Sequence, residues 1–134
     1  ERTLEILDET DALETIAAYG TALQQGMGRI LDARGVPHSF TGHPAMGGLF
    51  FHETSPKNYR DWLDSDYTFY DTMAPELHEL GVLCEPDSRE PWFICEAHAK
   101  DNSLAQTLAA FERAVDVTIE KLEYAKPEDR AVSA

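Results

Sequence analysis

The chain has 134 residues, of which 25 are Asp or Glu and 11 are Lys or Arg, so its formal net charge at pH 7 is −14. This negative charge, without a basic stripe interleaved with aromatic residues, disfavours binding to nucleic acid or to an anionic membrane surface. The length is that of one domain, and the hydrophobic fraction of 43% predicts a packed core. No apolar run approaches the roughly 20 residues that span a bilayer, and no signal-peptide pattern opens the chain, so we expect a cytoplasmic protein.

Apolar residues at helical spacing predict a long first helix that ends before Gly35, Val36 and Pro37. Its apolar stripe contains Leu13, Ile16, Ala17, Gly20, Leu23, Met27, Ile30 and Leu31, and Leu4 and Leu7 extend it upstream as a separate turn. A glycine in a helix interior costs up to about 1 kcal/mol relative to alanine. We therefore expect another element, from this chain or from elsewhere, to approach Gly20 closely.

The helical period disappears in the next stretch of the chain. Residues 39–41 and 49–51 are typical of short strands on either side of a turn-rich segment, 42–48. A helical pattern resumes near Tyr59, and a later stripe is interrupted by Pro75, which indicates a kink or a new turn. That stripe is formed by Tyr70, Met73, Leu77 and Leu80.

Gly81 is a suitable stop for this helix, and residues 82–84 and 92–95 are then predicted to be strands that flank a loop. The final helix is preceded by the N-cap candidates Asp101, Asn102 and Ser103. Its stripe consists of Leu104, Leu108, Phe111, Val115, Ile119 and Leu122. Helices around a few short, mostly antiparallel strands indicate an α+β fold. We expect the domain to occupy residues 1–126 and residues 127–134 to form a mobile tail.

The residues that could carry chemistry form no specific motif. The five histidines, His38, His43, His52, His78 and His98, include no pair with the spacing of a helical zinc site. Cys84 and Cys95 lie on predicted strands, where we expect buried, inert thiols, with a cross-strand disulfide as the alternative. Glu90 lies between Arg89 and Pro91 in the predicted loop, and the simplest interpretation is a solvated carboxylate, either free or paired with Arg89.

Taken in order, several segments resemble the C-terminal part of class III, pyridoxal-phosphate-dependent aminotransferases of the glutamate-1-semialdehyde aminomutase type. They are the helix and Gly-hydrophobic-Pro turn at 28–37, the Gly-rich turn and Phe-bearing strand at 42–51, the segments 66–70 and 80–86, and Ala97-His98 before a helix. The order and spacing of these segments over roughly residues 4–122 carry the resemblance.

The resemblance implies the small domain of a fold-type I enzyme, with a small antiparallel sheet covered on one face by helices. It also implies that the cofactor, pyridoxal phosphate (PLP), is bound by a large domain outside this chain, because the family's Schiff-base lysine, acidic partner and phosphate site belong there. Lys57, Lys100, Lys121 and Lys126 do not match that lysine's context. The parent enzyme would then be a homodimer that acts on a small amino-acid or amino-aldehyde substrate.

One functional position carries over by resemblance. Glu90, counted back from His98, falls where the family has a glutamate that reaches the active site, and Pro86 falls on the matching family proline. The resemblance therefore implies an auxiliary catalytic role for Glu90, such as tuning protonation or orienting an amino group. Pro91 and Trp92 stand where the family has small residues, which leaves open a substrate other than glutamate-1-semialdehyde.

These observations lead to one main hypothesis, a C-terminal fragment that is inactive alone and closes over the cofactor site in its parent enzyme. The alternative is a free-standing acidic binding module that kept the small-domain fold without catalysis. An exposed apolar patch lined by glycine favours the fragment, and a polar surface favours the module. A small histidine-carboxylate metalloprotein is a third interpretation, which calorimetry with zinc would test.

Overall fold

The computed structural model describes residues 2–124. The elements in chain order are α1 (Arg2–Glu9), α2 (Ala12–Asp32), β1 (Ser39–Thr41), β2 (Met46–Phe50), α3 (Tyr59–Leu63), α4 (Tyr67–Glu79), β3 (Trp92–Phe93), a 3₁₀ helix (Glu96–Lys100) and α5 (Ser103–Lys121). The predicted domain end at residue 126 and the predicted tail 127–134 lie outside the described residues.

The three strands form one antiparallel sheet in the order β1-β2-β3. Phe40 lies opposite Leu49, and Met46 lies opposite Phe93. The predicted α+β fold is confirmed, and β1 has the predicted bounds. The predicted turn at 42–48 is too long, because β2 already begins at Met46 and ends at Phe50 rather than Phe51.

The glycine pair in β2 explains this error. A Cβ atom on Gly47 would lie 2.2 Å from the Nε2 atom of Gln24, so the absence of a side chain allows α2 to pack closely on the strand. In the sequence, the same glycines are typical of a turn. Their role as a contact surface depends on a helix more than twenty positions away in the chain.

Helix α2 buries its stripe in the core only from Tyr19 onward. Tyr19, Leu23, Met27 and Leu31 are between 0% and 8% exposed, whereas Leu13, at the start of the predicted stripe, is 55% exposed. Helix α1 contains no buried residue at all. Apolar spacing identifies one face of a helix but does not say how far along it a neighbouring element extends.

The predicted close approach to Gly20 is confirmed, and its partner belongs to this chain. A Cβ atom on Gly20 would lie 2.1 Å from the carbonyl oxygen of Pro44, in the turn between β1 and β2. The fragment hypothesis expected an exposed patch lined by glycine, but Gly20 does not line one. Its surface is covered by the chain's own backbone.

Helices α4 and α5 supply the centre of the core as predicted. The most deeply buried side chains here are at most 1% exposed and include Phe69, Tyr70, Met73, Leu77, Phe111 and Val115. Helix α4 continues through Pro75. Gly81, with φ +84°, ends it, and the Val82 amide donates to the Leu77 carbonyl at 2.9 Å.

Arg34, just after α2, ties this helix to α5. Its guanidinium donates to Asp116 at 2.5 and 2.9 Å and to Glu112 at 3.0 Å. The hydrogen bond to Asp116 raises the pKa of Arg34 and lowers the pKa of Asp116. This contact holds together the two longest helices that enclose the core.

Candidate functional site

A surface groove with a cavity of about 260 Å³ lies beside the loop that carries Glu90. Its lining comes from the segments before and after that loop and from α2, the 3₁₀ helix and α5, and comprises Tyr19, Leu23, Val82, Leu83, Cys84, Glu85, Pro91, Trp92, Phe93, Ile94, His98 and Thr107. We call residues 86–90 the Glu90 loop. It is bent and turned throughout, and it joins the groove at Pro91.

The segment before the loop is not a strand, so the predicted strand at 82–84 is wrong. Side chains of α4 contact backbone carbonyl groups to which a neighbouring strand would otherwise hydrogen-bond. The Nε2 atom of His78 lies 2.7 Å from the Cys84 carbonyl oxygen, and the Tyr70 hydroxyl donates to the Glu85 carbonyl at 2.9 Å. The predicted strand at 92–95 is also shorter, because β3 ends at Phe93, although the Ile94 amide still donates to the Ala45 carbonyl at 2.9 Å.

The hydroxyl of Tyr70 also accepts a hydrogen bond from the other side of the loop. The indole Nε1 of Trp92 donates to it at 2.9 Å, and the Trp92 ring packs edge-on against Phe111, with ring centroids 6.4 Å apart. Burial raises the pKa of Tyr70 well above its ordinary value, so the hydroxyl stays protonated and remains a donor. One buried hydroxyl therefore contacts both ends of the loop.

Glu90 itself is exposed, and it directly precedes Pro91, which lines the groove. Its amide donates to the Asp87 carbonyl at 3.0 Å, which closes a turn. Within residues 2–124, its carboxylate hydrogen-bonds to no other side chain. The Arg89 guanidinium binds Asp87 rather than Glu90, and it lowers the pKa of Asp87 to about 2.

The tip of the loop is held against α3. Ser88 is only 4% exposed, and its hydroxyl accepts from the indole Nε1 of Trp62 at 2.9 Å. The Trp62 ring stacks on Tyr59 and Tyr67 with centroid distances of 5.3 and 5.1 Å, and the Arg89 guanidinium lies 5.1 Å from its centroid. An aromatic stack thus supports the residues immediately before Glu90.

His98, in the 3₁₀ helix, also lines the groove. Its Nδ1 lies 2.9 Å from the Cys95 amide nitrogen and 3.1 Å from the Cys95 carbonyl oxygen. The ring lies 5.8 Å from the Tyr19 ring, and the Tyr19 hydroxyl is 2.9 Å from the Ser103 hydroxyl. His98, from which Glu90 was counted back in the sequence, therefore lines the same groove as Pro91, the residue after Glu90.

The cysteines are both free thiols, and only one of them is shielded. Cys84 is half-buried, whereas Cys95 is exposed, so the prediction of two buried thiols is wrong for Cys95. Cys95 is exposed because β3 ends at Phe93, so Cys95 lies between the strand and the 3₁₀ helix rather than in the sheet.

We expect Cys95 to react with a thiol reagent far faster than Cys84 at pH 8. Burial raises the pKa of Cys84 to about 11, so only about one molecule in a thousand carries the reactive thiolate at that pH. Titration with Ellman's reagent should give one rapid thiol in the native chain and a second after denaturation. Cys95→Ser should abolish the rapid phase, and a rapid phase that survives this change would contradict the assignment.

The described lysines do not fit a PLP site. Lys57, Lys100 and Lys121 are all exposed, and the last two pair with Glu96 at 3.4 Å and with Glu76 at 2.6 Å. A Schiff-base lysine needs a site that excludes water and holds the cofactor's phosphate and ring nitrogen. Lys126 lies outside the described residues.

Two further features of residues 2–124 bear on the class of protein. None of the helices is long and apolar enough to cross a membrane. No group of three or more His, Cys, Asp and Glu side chains in this part of the chain is arranged to hold a metal ion.

The architecture defines the class. Helices packed on a small three-stranded antiparallel sheet form an α+β domain, and the same fold occurs as part of solved PLP-dependent aminotransferase structures. A FumI protein from Sphingopyxis sp. MTA144, solved in its PLP internal aldimine form, matches with a TM-score of 0.74 and 26% identity, over 93% of this chain and 27% of that one. An omega-transaminase from Sphaerobacter thermophilus matches with a TM-score of 0.60 and 18% identity, over 78% of this chain and 24% of that one, which supports the fold alone.

Curated relatives narrow the class further. The chain is 28% identical over 115 residues to a glutamate-1-semialdehyde 2,1-aminomutase from Hydrogenobaculum sp. (strain Y04AAS1), covering 86% of this chain and 24% of that protein. It is 29% identical over 94 residues to the enzyme of that name from Bacillus subtilis (strain 168), covering 70% of this chain and 22% of that protein. No protein-family model matches the chain.

The resemblance predicted from the sequence is thereby confirmed: the chain is similar to the C-terminal domain of class III PLP-dependent aminotransferases of the glutamate-1-semialdehyde aminomutase type. The chain spans about a quarter of the length of the curated relatives that it matches.

Proposed function

We propose that this chain is the C-terminal small domain of a PLP-dependent aminomutase or aminotransferase and that it is inactive without the large domain. The observation that carries this proposal is the groove next to the Glu90 loop, because large apolar side chains in its lining are exposed. Leu83 and Phe93 line this groove, and they are 90% and 61% exposed. Contiguous exposed apolar surface of this kind is typical of a face that packs against another domain.

The same surface argues against the alternative of a free-standing acidic module. Such a module would gain solubility from polar residues at the positions of Leu83 and Phe93. Gly20, which the fragment hypothesis placed on the exposed patch, does not contribute to this argument, because Pro44 covers it. The exposed leucine and phenylalanine carry the argument by themselves.

The cofactor belongs to the large domain in this proposal, because no described lysine of the chain offers an enclosed site. The large domain is therefore the partner of the groove, and the parent enzyme is a homodimer that acts on a small amino-acid or amino-aldehyde substrate. Glu90 contributes a carboxylate to the site formed between the domains. A carboxylate at that edge can hold an amino group or accept a proton from it.

The first test asks whether the chain alone has a specific lysine for the cofactor. The purified chain is mixed with one equivalent of PLP, reduced with borohydride, digested and analysed by mass spectrometry. We expect no transamination and only a low, scattered modification, with the same distribution over the lysines as in the urea-denatured chain. A stoichiometric adduct on one lysine of the native chain, together with turnover, would overturn the proposal.

The second test concerns the parent enzyme and the role of Glu90. The DNA upstream of the Glu1 codon should continue in frame into a large domain with a Schiff-base lysine, and a start codon directly upstream would instead contradict the proposal.

In the whole enzyme, Glu90→Gln should lower kcat on the order of 10²-fold, as loss of a general acid or base does. Glu79→Gln, at the exposed end of α4, is the matched control and should leave kcat unchanged.

A further inference from the structure

We propose that Tyr70 is a positioning residue for Glu90, because its buried hydroxyl fastens both ends of the Glu90 loop to the core. This inference rests on the proposed function, since that function makes Glu90 the group whose place matters. The geometry itself is independent of any cofactor. It consists of hydrogen bonds within the chain.

The two contacts of the Tyr70 hydroxyl lie on opposite sides of Glu90 in the chain. The hydroxyl donates to the carbonyl of Glu85, the residue before the loop, at 2.9 Å, and it accepts from the indole of Trp92, two residues after Glu90, at 2.9 Å. Tyr70 is 1% exposed and lies on α4, in the centre of the core. A short segment that is fixed at both ends has few accessible conformations, so its residues are held in place.

The position of Glu90 depends on this backbone constraint more than on side-chain contacts. Within residues 2–124 its carboxylate hydrogen-bonds to no other side chain, so nothing at the level of the carboxylate fixes its place. The contact between Ser88 and Trp62 holds the tip of the loop at 2.9 Å but lies only on the upstream side of Glu90. Downstream of Glu90, the backbone of Trp92 and Phe93 pairs with β2, and the hydrogen bond of the Trp92 indole to Tyr70 attaches this end of the loop to α4 as well.

The experiment is NMR relaxation of the isolated chain with Tyr70→Phe, which removes the hydroxyl and keeps the ring. In the unchanged chain we expect backbone order parameters at Arg89 and Glu90 near ~0.85, and in Tyr70→Phe a fall to below about 0.6. The Trp92 indole proton should exchange with water at least about tenfold faster, because it loses its acceptor. The Trp62 indole, bonded to Ser88, should be unchanged and serves as a reference within the same molecule.

Tyr19→Phe is the matched control. It also removes a hydroxyl from a buried tyrosine, one that pairs with Ser103 rather than with the loop, so it should lower global stability without loosening Arg89 and Glu90. Equal mobility of these residues in the two variants, or unchanged mobility in Tyr70→Phe, would overturn the inference.

If Tyr70→Phe does not fold, as judged by circular dichroism, Trp92→Phe replaces it. This change removes only the downstream contact and keeps an aromatic ring against Phe111. It should loosen Glu90 more than Ser88, and an unchanged order parameter at Glu90 would overturn the inference. All these measurements omit PLP, so their failure is distinct from a failure of the borohydride test.

Discussion

Replacing Gly20 with alanine should destabilise the domain by about 3 kcal/mol, a large part of the stability of a single domain. The added Cβ would lie 2.1 Å from the Pro44 carbonyl oxygen and 2.6 Å from its carbonyl carbon, and both atoms belong to the backbone. The turn between β1 and β2 would have to move away from α2. Urea denaturation followed by circular dichroism would measure the change.

Gly26→Ala is the matched control for this prediction. Gly26 also lies buried within α2, but its added Cβ would meet the end of the flexible Leu108 side chain, with the nearest atom at 2.5 Å. Because Leu108 can change rotamer, and because alanine favours a helix by about 1 kcal/mol over glycine, the net change should be small. Equal unfolding midpoints for the two variants would contradict the role assigned to Pro44.

Replacing Phe111 with alanine should have the other large effect, a loss of about 3–5 kcal/mol. The Phe111 side chain is 0% exposed and packs edge-on against Trp92, so its removal leaves a cavity beneath the groove. The loss should also disturb Trp92, which makes tryptophan fluorescence a second readout beside the unfolding midpoint.

Phe93→Ala is the control of the same residue type. Phe93 is 61% exposed beside the same groove, so its truncation should change the stability of the isolated chain by no more than about 0.5 kcal/mol. It should also reduce self-association, because it removes exposed apolar surface. A cost for Phe93→Ala similar to that for Phe111→Ala would mean that the groove is closed in solution.

Most of the helices could be predicted because their signals are local. The stripe of α5, the glycine stops at Gly35 and Gly81 and the strand at 39–41 all follow from residues within a few positions of one another. The order of the segments also sufficed for the resemblance that the comparisons confirm. The auxiliary role of Glu90 stays a prediction, because it rests on that resemblance.

The errors have a common physical origin in distant partners. Residues 82–84 have the composition of a strand, but His78 and Tyr70 take the carbonyls of Cys84 and Glu85. Leu13 lies on the apolar stripe of α2, yet its side chain is 55% exposed. In both cases the local pattern predicts a tendency to form a strand or to be buried. Whether the segment does so depends on which other elements of the fold pack against it.

Local patterning in the amino-acid sequence therefore determined the helices, the α+β class and the resemblance to an aminotransferase small domain. Only the tertiary structure decided the surroundings of Glu90, including the groove next to its loop and the hydroxyl of Tyr70, which hydrogen-bonds to both Glu85 and Trp92. The physical reason is that hydrogen bonds between distant side chains and backbone groups leave no periodic trace in the sequence. They exist only once the core has brought α4 against the loop.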